Sequence, residues 1–258
     1  MTARRRRTLA ISGSASGIGA AVRARFEHSG TRVLGVDRHD AEVASDLATT
    51  EGRRAALEAL GEQCDGRLDG VVLCAGLGPH VRPVEAIAAV NYFGALALLD
   101  GLLPLLCAGE APAAVVVASN SAGITPPNAA LLAALGEDDE HRASDLAGGL
   151  DGATVYGMTK LALARAVRRR AGRWGEAGVR LNAVAPGPID TPLLRASLDD
   201  PVLGPLVDAL PVPLGRRGTP EEVAAAVAFL LDPANGFVHG SILFVDGGTD
   251  ALLRPEAI

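Results

Sequence analysis

"ISGSASGIGAAV", residues 11–22, decides the fold of this chain. A β-rich run, Thr8–Ser12, leads into it, and an Ala-rich stretch of helical period, Ile18–Ser29, follows. Glycines at this junction permit a tight turn and let backbone N–H groups approach a pyrophosphate, which the positive end of the helix dipole also attracts. Glycine also serves ordinary turns, but its place between the first strand and the first helix is typical of a dinucleotide site. The residues expected at this site are Gly13, Ser14, Gly17, Ile18 and Gly19.

Along the rest of the chain, short β-branched runs alternate with longer Ala- and Leu-rich stretches of helical period. Such alternation indicates repeated strand–helix–strand units and a parallel sheet. The predicted strands are Thr8–Ser12, Thr31–Asp37, Leu68–Ala75, Ala113–Ser119, Val179–Ala185 and Ile242–Asp246. The predicted helices are Ile18–Ser29, Arg53–Gln63, Glu85–Leu106, Val155–Trp174 and Glu221–Leu231. A chain of 258 residues is compatible with one α/β domain. We therefore predict a single domain over residues 1–258, a Rossmann-type doubly wound parallel sheet with helices on both faces.

Two segments depart from this rhythm. Residues 125–152 contain a Pro pair, a small apolar patch and the charged run GEDDEHR, which together predict an inserted helical excursion outside the sheet. Residues 188–218 are rich in Pro and Leu and follow a strand end, where the binding loops of open α/β sheets collect. Each segment is interpreted either as a cover over a ligand or as a surface decoration or subunit contact.

Composition argues against several other classes of protein. A net charge of −6 disfavours a surface for nucleic acid, which needs a concentrated positive field. The basic run Arg4–Arg7 is interpreted as a solvated terminus, and no long apolar segment follows it, so neither a secretion signal nor a membrane anchor is expected. Three Cys without metal-like pairing favour a reduced, cytoplasmic protein. Five dispersed His lack the spacing of metal ligands, so no metal is expected.

The carboxylate of Asp37 predicts the choice of dinucleotide. It ends the second predicted strand, where it can accept hydrogen bonds from the ribose hydroxyls of an adenosine. A 2′-phosphate would meet like charge there, so NAD is favoured over NADP. Arg38 is a guanidinium that can accept a phosphate, but Ser14 offers no second cation, so we interpret Arg38 as packing near the adenine or as plain surface.

Two further stretches extend the expected nucleotide site. Asp46 can accept from the adenine amino group with Leu47 beside the ring, although an Asp that starts a turn is an equally good interpretation. Ala75 and Gly76 end another strand and are small enough for backbone to lie against a nucleotide.

Tyr156 and Lys160 suggest the reacting group. The chain contains one Lys among its 24 Lys and Arg residues, and that Lys lies four positions after one of the two Tyr. In a helix this spacing places both side chains on one face. A phenol has a pKa of about 10, and a cation within roughly 4–6 Å can lower that pKa by about 1–3 units. The pair is therefore predicted to act as a general base and acid. The alternative interpretation is an ordinary surface i,i+4 pair in an Ala-rich helix.

These motifs together resemble those of the short-chain dehydrogenases/reductases. The matching stretches are SGSASGIG (12–19), CAG (74–76), VNYFG (90–94), AAVVVASNS (113–121), YGMTK (156–160), NAVAPGPIDTP (182–192) and VHGSILFVDGG (238–248). They follow the order of that family over nearly the whole chain. The departures are Ser12 for the usual Thr, Leu73 and Cys74 where two Asn are common, and a 37-residue step from Ser119 to Tyr156 (156 − 119), which is longer than usual.

The resemblance implies roles for individual residues. Tyr156 would exchange the substrate proton, Lys160 would orient the nicotinamide ribose and lower the Tyr pKa, Ser119 would bind the substrate oxygen, and Asn91 would support a water relay. Ser121 is the reserve for Ser119, because it lies on the same side if the chain stays extended. The residues that would border the nicotinamide are Pro186, Gly187, Ile189 and Thr191.

The long step to Tyr156 and several flanking stretches resemble the 3α-hydroxysteroid dehydrogenase/carbonyl reductase and coniferyl-alcohol dehydrogenase subgroup. This resemblance implies a hydrophobic alcohol or ketone as the substrate, either a steroid or an aromatic alcohol, with NAD as the hydride carrier. The resemblance also implies a homodimer or a homotetramer formed through the helices that begin near Asn91 and Val155. The excursion at 125–152 directly precedes the second of these helices, where it could block the usual tetramer face and leave a dimer. The alternative function is an NAD-responsive binding protein without catalysis, since a fold alone does not establish activity.

Overall fold

The computed structural model describes residues 5–256, so Arg4 of the basic run and the ends of the predicted 1–258 domain lie outside the described residues. Within that range one sheet of seven parallel strands has the order β3-β2-β1-β4-β5-β6-β7. The strands are β1 (Thr8–Ser12), β2 (Arg32–Asp37), β3 (Val43–Ala44), β4 (Gly70–Leu73), β5 (Ala113–Val117), β6 (Arg180–Pro186) and β7 (Ile242–Val245). The six predicted strands are confirmed, and β3 was not predicted. The strand order reverses beside β1, and in such sheets a ligand crevice opens at the carboxyl ends of the strands at that point.

Helices cover both faces of the sheet. They are α1 (Gly17–His28), α2 (Thr50–Gln63), α3 (Glu85–Ala88), α4 (Ala95–Gly101), α5 (Leu103–Cys107), α6 (Ser121–Ile124), α7 (Ala129–Gly136), α8 (Glu140–Gly148), α9 (Gly152–Glu176), α10 (Pro192–Leu198), α11 (Leu203–Asp208), α12 (Pro220–Leu231) and α13 (Thr249–Leu253). A π-helical turn, Ala89–Gly94, joins α3 to α4. The five predicted helices are confirmed, and the excursion at 125–152 contains α7 and α8.

The core lies in two layers, one on each face of the sheet, and β1 shows how the sequence builds both. Successive side chains of a strand point to opposite faces. Leu9 and Ile11 pack with Val22 of α1 and Val227 of α12 on one face. Ala10 belongs to the other layer, which contains residues of α2, α4 and α9. Both faces of β1 are buried, so its three central residues are apolar, as is common for strands of parallel sheets.

The helical region Glu85–Cys107 is the one stretch of the described chain whose length and apolar composition match a membrane span. Two observations identify it as a core helix instead. Its most apolar window is 67% buried within the protein. Leu98, Leu99 and Leu106 are fully enclosed between the sheet and its neighbouring helices.

Candidate active site

A cleft of about 1040 Å³ opens at the carboxyl ends of the central strands. It brings together most of the predicted site, although the residues come from separate parts of the chain. The predicted residues that line it are Gly13, Gly17, Ile18, Gly19, Asp37, Arg38, Asp46, Leu47, Ala75, Gly76, Ser119, Tyr156, Lys160, Pro186, Gly187, Ile189 and Thr191. Two predicted residues, Ser14 and Asn91, do not line the cleft wall.

The glycine turn between β1 and α1 requires its glycines for steric reasons. Gly13 has φ of 70°, and a Cβ on it would lie 2.6 Å from the Ala75 nitrogen. A Cβ on Gly19 would lie 1.9 Å from the Gly13 carbonyl oxygen. The turn is therefore closed tightly against the end of β4, and the first turn of α1 faces the cleft with its N–H groups.

The side chains of Ser12 and Ser14 contact the strands next to the glycine turn. The Ser12 hydroxyl accepts a hydrogen bond from the Ala75 N–H at 3.2 Å, so the exchange of Thr for Ser keeps the supporting contact. Ser14 is 2% exposed, and a Cβ on Gly35 would lie 2.4 Å from its hydroxyl oxygen. Its side chain therefore packs against β2, and the contact of Ser14 with the nucleotide stays a prediction.

Asp37 lies at the end of β2 with its carboxylate oriented by two backbone donors. The N–H of Ala15, within the glycine turn, donates to one oxygen at 3.0 Å, and the N–H of Arg38 donates to the other at 2.8 Å. The carboxylate is thus fixed beside the turn, while each oxygen retains a lone pair for a further donor. Arg38 is exposed at the same rim.

Asp46 and Leu47 form the next part of the wall. Asp46 starts a turn, since one carboxylate oxygen accepts from the Ala48 N–H at 2.9 Å and its carbonyl accepts from the Thr49 N–H at 3.2 Å. It also lines the cleft, so the two interpretations of this residue are compatible. Leu47 is 5% exposed and packs into the core.

The loop after β6 closes the opposite side. Thr191 caps α10 by accepting from the Leu194 N–H at 3.2 Å, and its hydroxyl donates to the Ile189 carbonyl at 3.2 Å. A Cβ on Gly17 would lie 3.3 Å from the Thr191 methyl carbon. The glycine turn and the 186–191 loop therefore contact each other, and both would border a dinucleotide bound in the cleft.

Ser119 and Ser121 are separated by the end of the strand. β5 ends at Val117 and α6 begins at Ser121, so the chain does not stay extended between the two Ser residues. The Ser119 hydroxyl accepts from the Ser121 N–H at 3.2 Å, and it lies close enough to the Tyr156 phenol to oppose the rise in the pKa of that phenol. The Ser121 hydroxyl is buried and has no hydrogen-bond partner within residues 5–256. This geometry favours Ser119 over Ser121.

Tyr156 and Lys160 extend from one face of α9 into the cleft. The Lys160 Nζ lies 5.8 Å from the centroid of the Tyr156 ring and donates to the Val117 carbonyl at 2.9 Å. Burial lowers the pKa of Lys160 to about 8. Even so, the ammonium remains mostly charged at neutral pH.

The pKa of Tyr156 differs from the expectation. Burial raises the pKa of the Tyr156 phenol, and the hydrogen bond with Ser119 opposes that rise without cancelling it. In the protein alone, the expected net lowering by Lys160 is therefore wrong. The cause is desolvation, since a buried phenolate loses more hydration than one hydrogen bond restores.

Asn91 occupies the π-helical turn and binds the chain that follows β4. Its amide accepts from the Leu77 N–H at 2.7 Å and donates to the Leu77 carbonyl at 3.0 Å. A Cβ on Gly76 would lie 3.3 Å from the Asn91 side-chain oxygen and 3.5 Å from the Lys160 Nζ. Asn91 therefore fixes backbone next to Lys160, although its amide is already paired on both sides.

Several cleft residues were not named from the sequence. The half beyond Tyr156 has an apolar wall made by Ile124, Pro126, Leu193, Leu203, Leu206, Val207 and Leu210. The Pro- and Leu-rich composition of residues 188–218 was the signal for most of them. Cys74 also lines the cleft, and burial raises the pKa of its thiol to about 12, which keeps it protonated. No cluster of three or more metal-ligating side chains occurs in the described residues.

Comparison with known proteins agrees with this geometry. Residues 143–250 match the family model described as enoyl-(acyl carrier protein) reductase. The chain is 46% identical over 251 residues to the 3-alpha-hydroxysteroid dehydrogenase/carbonyl reductase of Comamonas testosteroni, covering 96% of this chain and 98% of that protein. The crystal structure of the 3-alpha-hydroxysteroid dehydrogenase from Pseudomonas sp. B-0831 complexed with NADH superposes with a TM-score of 0.94 at 46% identity, covering 97% of this chain and all of that one. The 3-ketoacyl-(acyl-carrier-protein) reductase of Brucella melitensis, also complexed with NADH, gives a TM-score of 0.73 at 26% identity over 95% of this chain and 98% of that one.

Proposed function

The chain belongs to the short-chain dehydrogenase/reductase family, and we propose that it is an NAD(H)-dependent oxidoreductase that interconverts a hydrophobic alcohol and its carbonyl compound. One observation carries the proposal. A buried ammonium, a phenol and a Ser hydroxyl converge beside a glycine-walled nucleotide cleft, with an apolar chamber beyond them.

The residues of the cleft fit NAD. The glycine turn lines the cleft in a tight backbone arrangement that Cβ atoms on Gly13 and Gly19 would disrupt, and the Asp37 carboxylate stands where ribose hydroxyls would donate. We assign cofactor contacts to the turn, to Asp37 and Asp46, to Ala75 and Gly76, and to the 186–191 loop. When bound, NAD⁺ supplies the hydride acceptor for oxidation and NADH supplies the donor for reduction.

The protein's own groups handle the proton. In oxidation, the Tyr156 phenolate takes the hydroxyl proton of the alcohol, and Ser119 donates a hydrogen bond to the same oxygen. Lys160 uses one N–H on the Val117 carbonyl, which leaves two N–H groups for ribose hydroxyls. Its ammonium lies 5.8 Å from the centroid of the Tyr156 ring, from where its charge would favour the phenolate over the phenol. In reduction the phenol returns the proton.

The apolar wall supports a bulky hydrophobic substrate. Leu193 of α10, Leu203 and Val207 of α11, Leu210 just after α11, and Ile124 of α6 line the cleft. Such a surface recognises fused or aromatic rings rather than a polyol. We propose a hydroxysteroid as the first substrate class, because the two relatives of 46% identity carry that name. An aryl or allylic alcohol remains the second candidate.

A spectrophotometric assay tests the proposal. Oxidation of steroid alcohols and phenylpropenols is followed at 340 nm with NAD or NADP. We expect turnover with NAD and a hydrophobic alcohol, and we expect Tyr156→Phe to abolish turnover while NADH still binds. NADH binding without turnover on any alcohol or ketone of the panel would support the alternative, an NAD-responsive binding protein. A strong preference for NADP would contradict the role given to Asp37.

We also propose a cytoplasmic homodimer or homotetramer with no nucleic-acid or membrane partner. Support for self-association comes from β7, which ends the sheet and leaves Leu243 and Phe244 each 37% exposed. Leu252 and Leu253 of α13 are also exposed. Light scattering coupled to gel filtration would measure the mass, and a monomer at micromolar concentration would contradict this proposal.

A further inference from the structure

Arg53 is a buried charge outside the reacting centre. It lies in the first turn of α2 and is 6% exposed. Its guanidinium forms a two-point ion pair with Glu140, at 2.7 Å from Nη1 and 2.6 Å from Nη2. Glu140 is the first residue of α8, 87 positions away in the sequence, and belongs to the excursion at 125–152. A buried guanidinium needs such a partner, because desolvation of an unpaired charge is costly.

The same guanidinium also holds the wall of the nucleotide cleft. Nε donates to the Leu47 carbonyl at 2.8 Å, and Nη2 donates to the Ala48 carbonyl at 3.2 Å. Leu47 and Ala48 both line the cleft next to Asp46. Backbone carbonyls in this region therefore point away from the cleft toward Arg53, and their direction fixes the course of the 46–48 loop.

A third carbonyl links this loop to the π-helical turn. Arg53 Nη2 donates to the Ala89 carbonyl at 2.9 Å, and Ala89 is the first residue of the turn that contains Asn91. The turn and the loop are also in direct contact, since a Cβ on Gly94 would lie 2.9 Å from the Leu47 carbonyl oxygen. Three carbonyl oxygens and one carboxylate thus converge on one planar cation.

We propose that Arg53, held by Glu140 of the excursion, is a positioning residue for the adenosine half of the cofactor site. Without the guanidinium, the carbonyls of Leu47 and Ala48 would lose the donor that they share, and unpaired buried acceptors are costly. The loop would move to find water, and Asp46 and Leu47 would move with it. The inference rests on the proposed function, and it gives the excursion a role in cofactor binding.

Lys cannot replace Arg53 in this position. The contacts use Nε and both terminal nitrogens, so they need donors spread over a plane. An ammonium presents its three N–H groups from a single point. Arg53→Lys keeps the positive charge but loses the planar arrangement of N–H donors. This variant therefore separates the effect of donor geometry from the effect of charge.

Binding of ADP-ribose tests the inference without turnover, because this ligand carries the adenosine half of NAD and no nicotinamide. The dissociation constant is measured by calorimetry for wild type, Arg53→Met, Arg53→Lys and Glu140→Gln. The control is Glu137→Gln, which removes the exposed partner of Arg142 on the same excursion. We expect Kd to rise about tenfold in Arg53→Met, which corresponds to the loss of one to two hydrogen bonds. We expect a rise of about threefold in Arg53→Lys and Glu140→Gln, and no change in the control.

Steady-state kinetics provide the second readout. The KM for NAD is expected to rise with the Kd of ADP-ribose, while kcat at saturating NAD and the KM for the alcohol stay within about threefold of wild type. A lower melting temperature with unchanged ADP-ribose affinity would mean that Arg53 is merely structural, which overturns the inference. If Arg53→Met does not fold, unchanged affinity in Arg53→Lys and Glu140→Gln overturns it equally. Wild-type protein that does not bind ADP-ribose would contradict the proposed cofactor site itself.

Discussion

Tyr156 and Lys160 show how burial and proximity compete at single residues. Burial raises the pKa of the phenol and lowers that of the ammonium to about 8, so each group is pushed toward its neutral form. Their mutual attraction would act in the opposite direction, but only once the phenol has lost its proton. The protein therefore holds a protonated Tyr beside a charged Lys at neutral pH. In this state Tyr156 can donate a proton during carbonyl reduction. Alcohol oxidation needs the deprotonated phenol, so the rate of oxidation depends on pH.

The rate of alcohol oxidation should consequently rise with pH. Oxidation needs the phenolate, and below the raised pKa of Tyr156 the phenolate fraction grows about tenfold per pH unit. Carbonyl reduction needs the protonated phenol, so its rate should stay level from pH 6 to pH 8. The slope for oxidation should decrease above about pH 8, where Lys160 loses its charge. Profiles of kcat/KM in both directions check this, and an oxidation rate independent of pH between 6 and 8 would exclude Tyr156 as the base.

The two Ser residues after β5 allow a matched comparison. Ser119→Ala removes the hydroxyl that opposes the rise in the Tyr156 pKa and is the proposed donor to the substrate oxygen, so kcat should fall about 10²–10³-fold. Ser121→Ala removes a buried hydroxyl without a partner in the described residues, and kcat should stay within about threefold of wild type. Circular dichroism and melting curves show whether both variants are folded. The opposite order of effects would assign the substrate contact to Ser121.

At the scale of elements, the limits of sequence analysis have physical causes. The long helices were predictable from a sustained period of about 3.6, and most strands were predictable from short, continuous β-branched runs that alternate with these helices. β3 consists of Val43 and Ala44 and is a strand because it pairs with Val36 and Asp37 of β2. A segment of two residues is too short to show a periodic hydrophobic pattern, so only its pairing with β2 defines this strand.

The interior of the helical region Glu85–Cys107 shows a second limit. Its apolar pattern is continuous, yet six residues, Ala89–Gly94, form a π-helical turn. The turn receives a hydrogen bond from Arg53 of another helix. The sequence already favoured Ser119 over Ser121, and the end of β5 and the start of α6 add that the chain does not stay extended between the two residues. Sequence analysis could identify the glycine turn, Asp37 and the Tyr156–Lys160 pair because each is defined by short spacings along the chain.

At the scale of the whole molecule, the proposed cofactor would join parts of the fold that are distant in sequence. The cleft is walled by the ends of β1, β2, β4, β5 and β6 and by α9 and α10, so a ligand that fills it contacts both halves of the sheet. Such a ligand binds the folded protein and has no site in the unfolded chain. Its binding free energy therefore adds to the free energy of unfolding.

NADH should raise the melting temperature accordingly, and NADPH should raise it less. At a concentration of 100 Kd the free energy of unfolding increases by about 2.7 kcal/mol, which shifts the melting temperature of a domain of this size by roughly 5–11 °C. NADPH would bring its 2′-phosphate against the Asp37 carboxylate, so at equal concentration its shift should be smaller. Differential scanning fluorimetry of wild type and Asp37→Ala measures both shifts, and the variant should narrow the difference by responding more to NADPH. Equal shifts in the wild type would show that Asp37 does not discriminate between the two nucleotides. The absence of a shift with NADH would contradict binding at the cleft, because any ligand held by this many strand ends must stabilise their association.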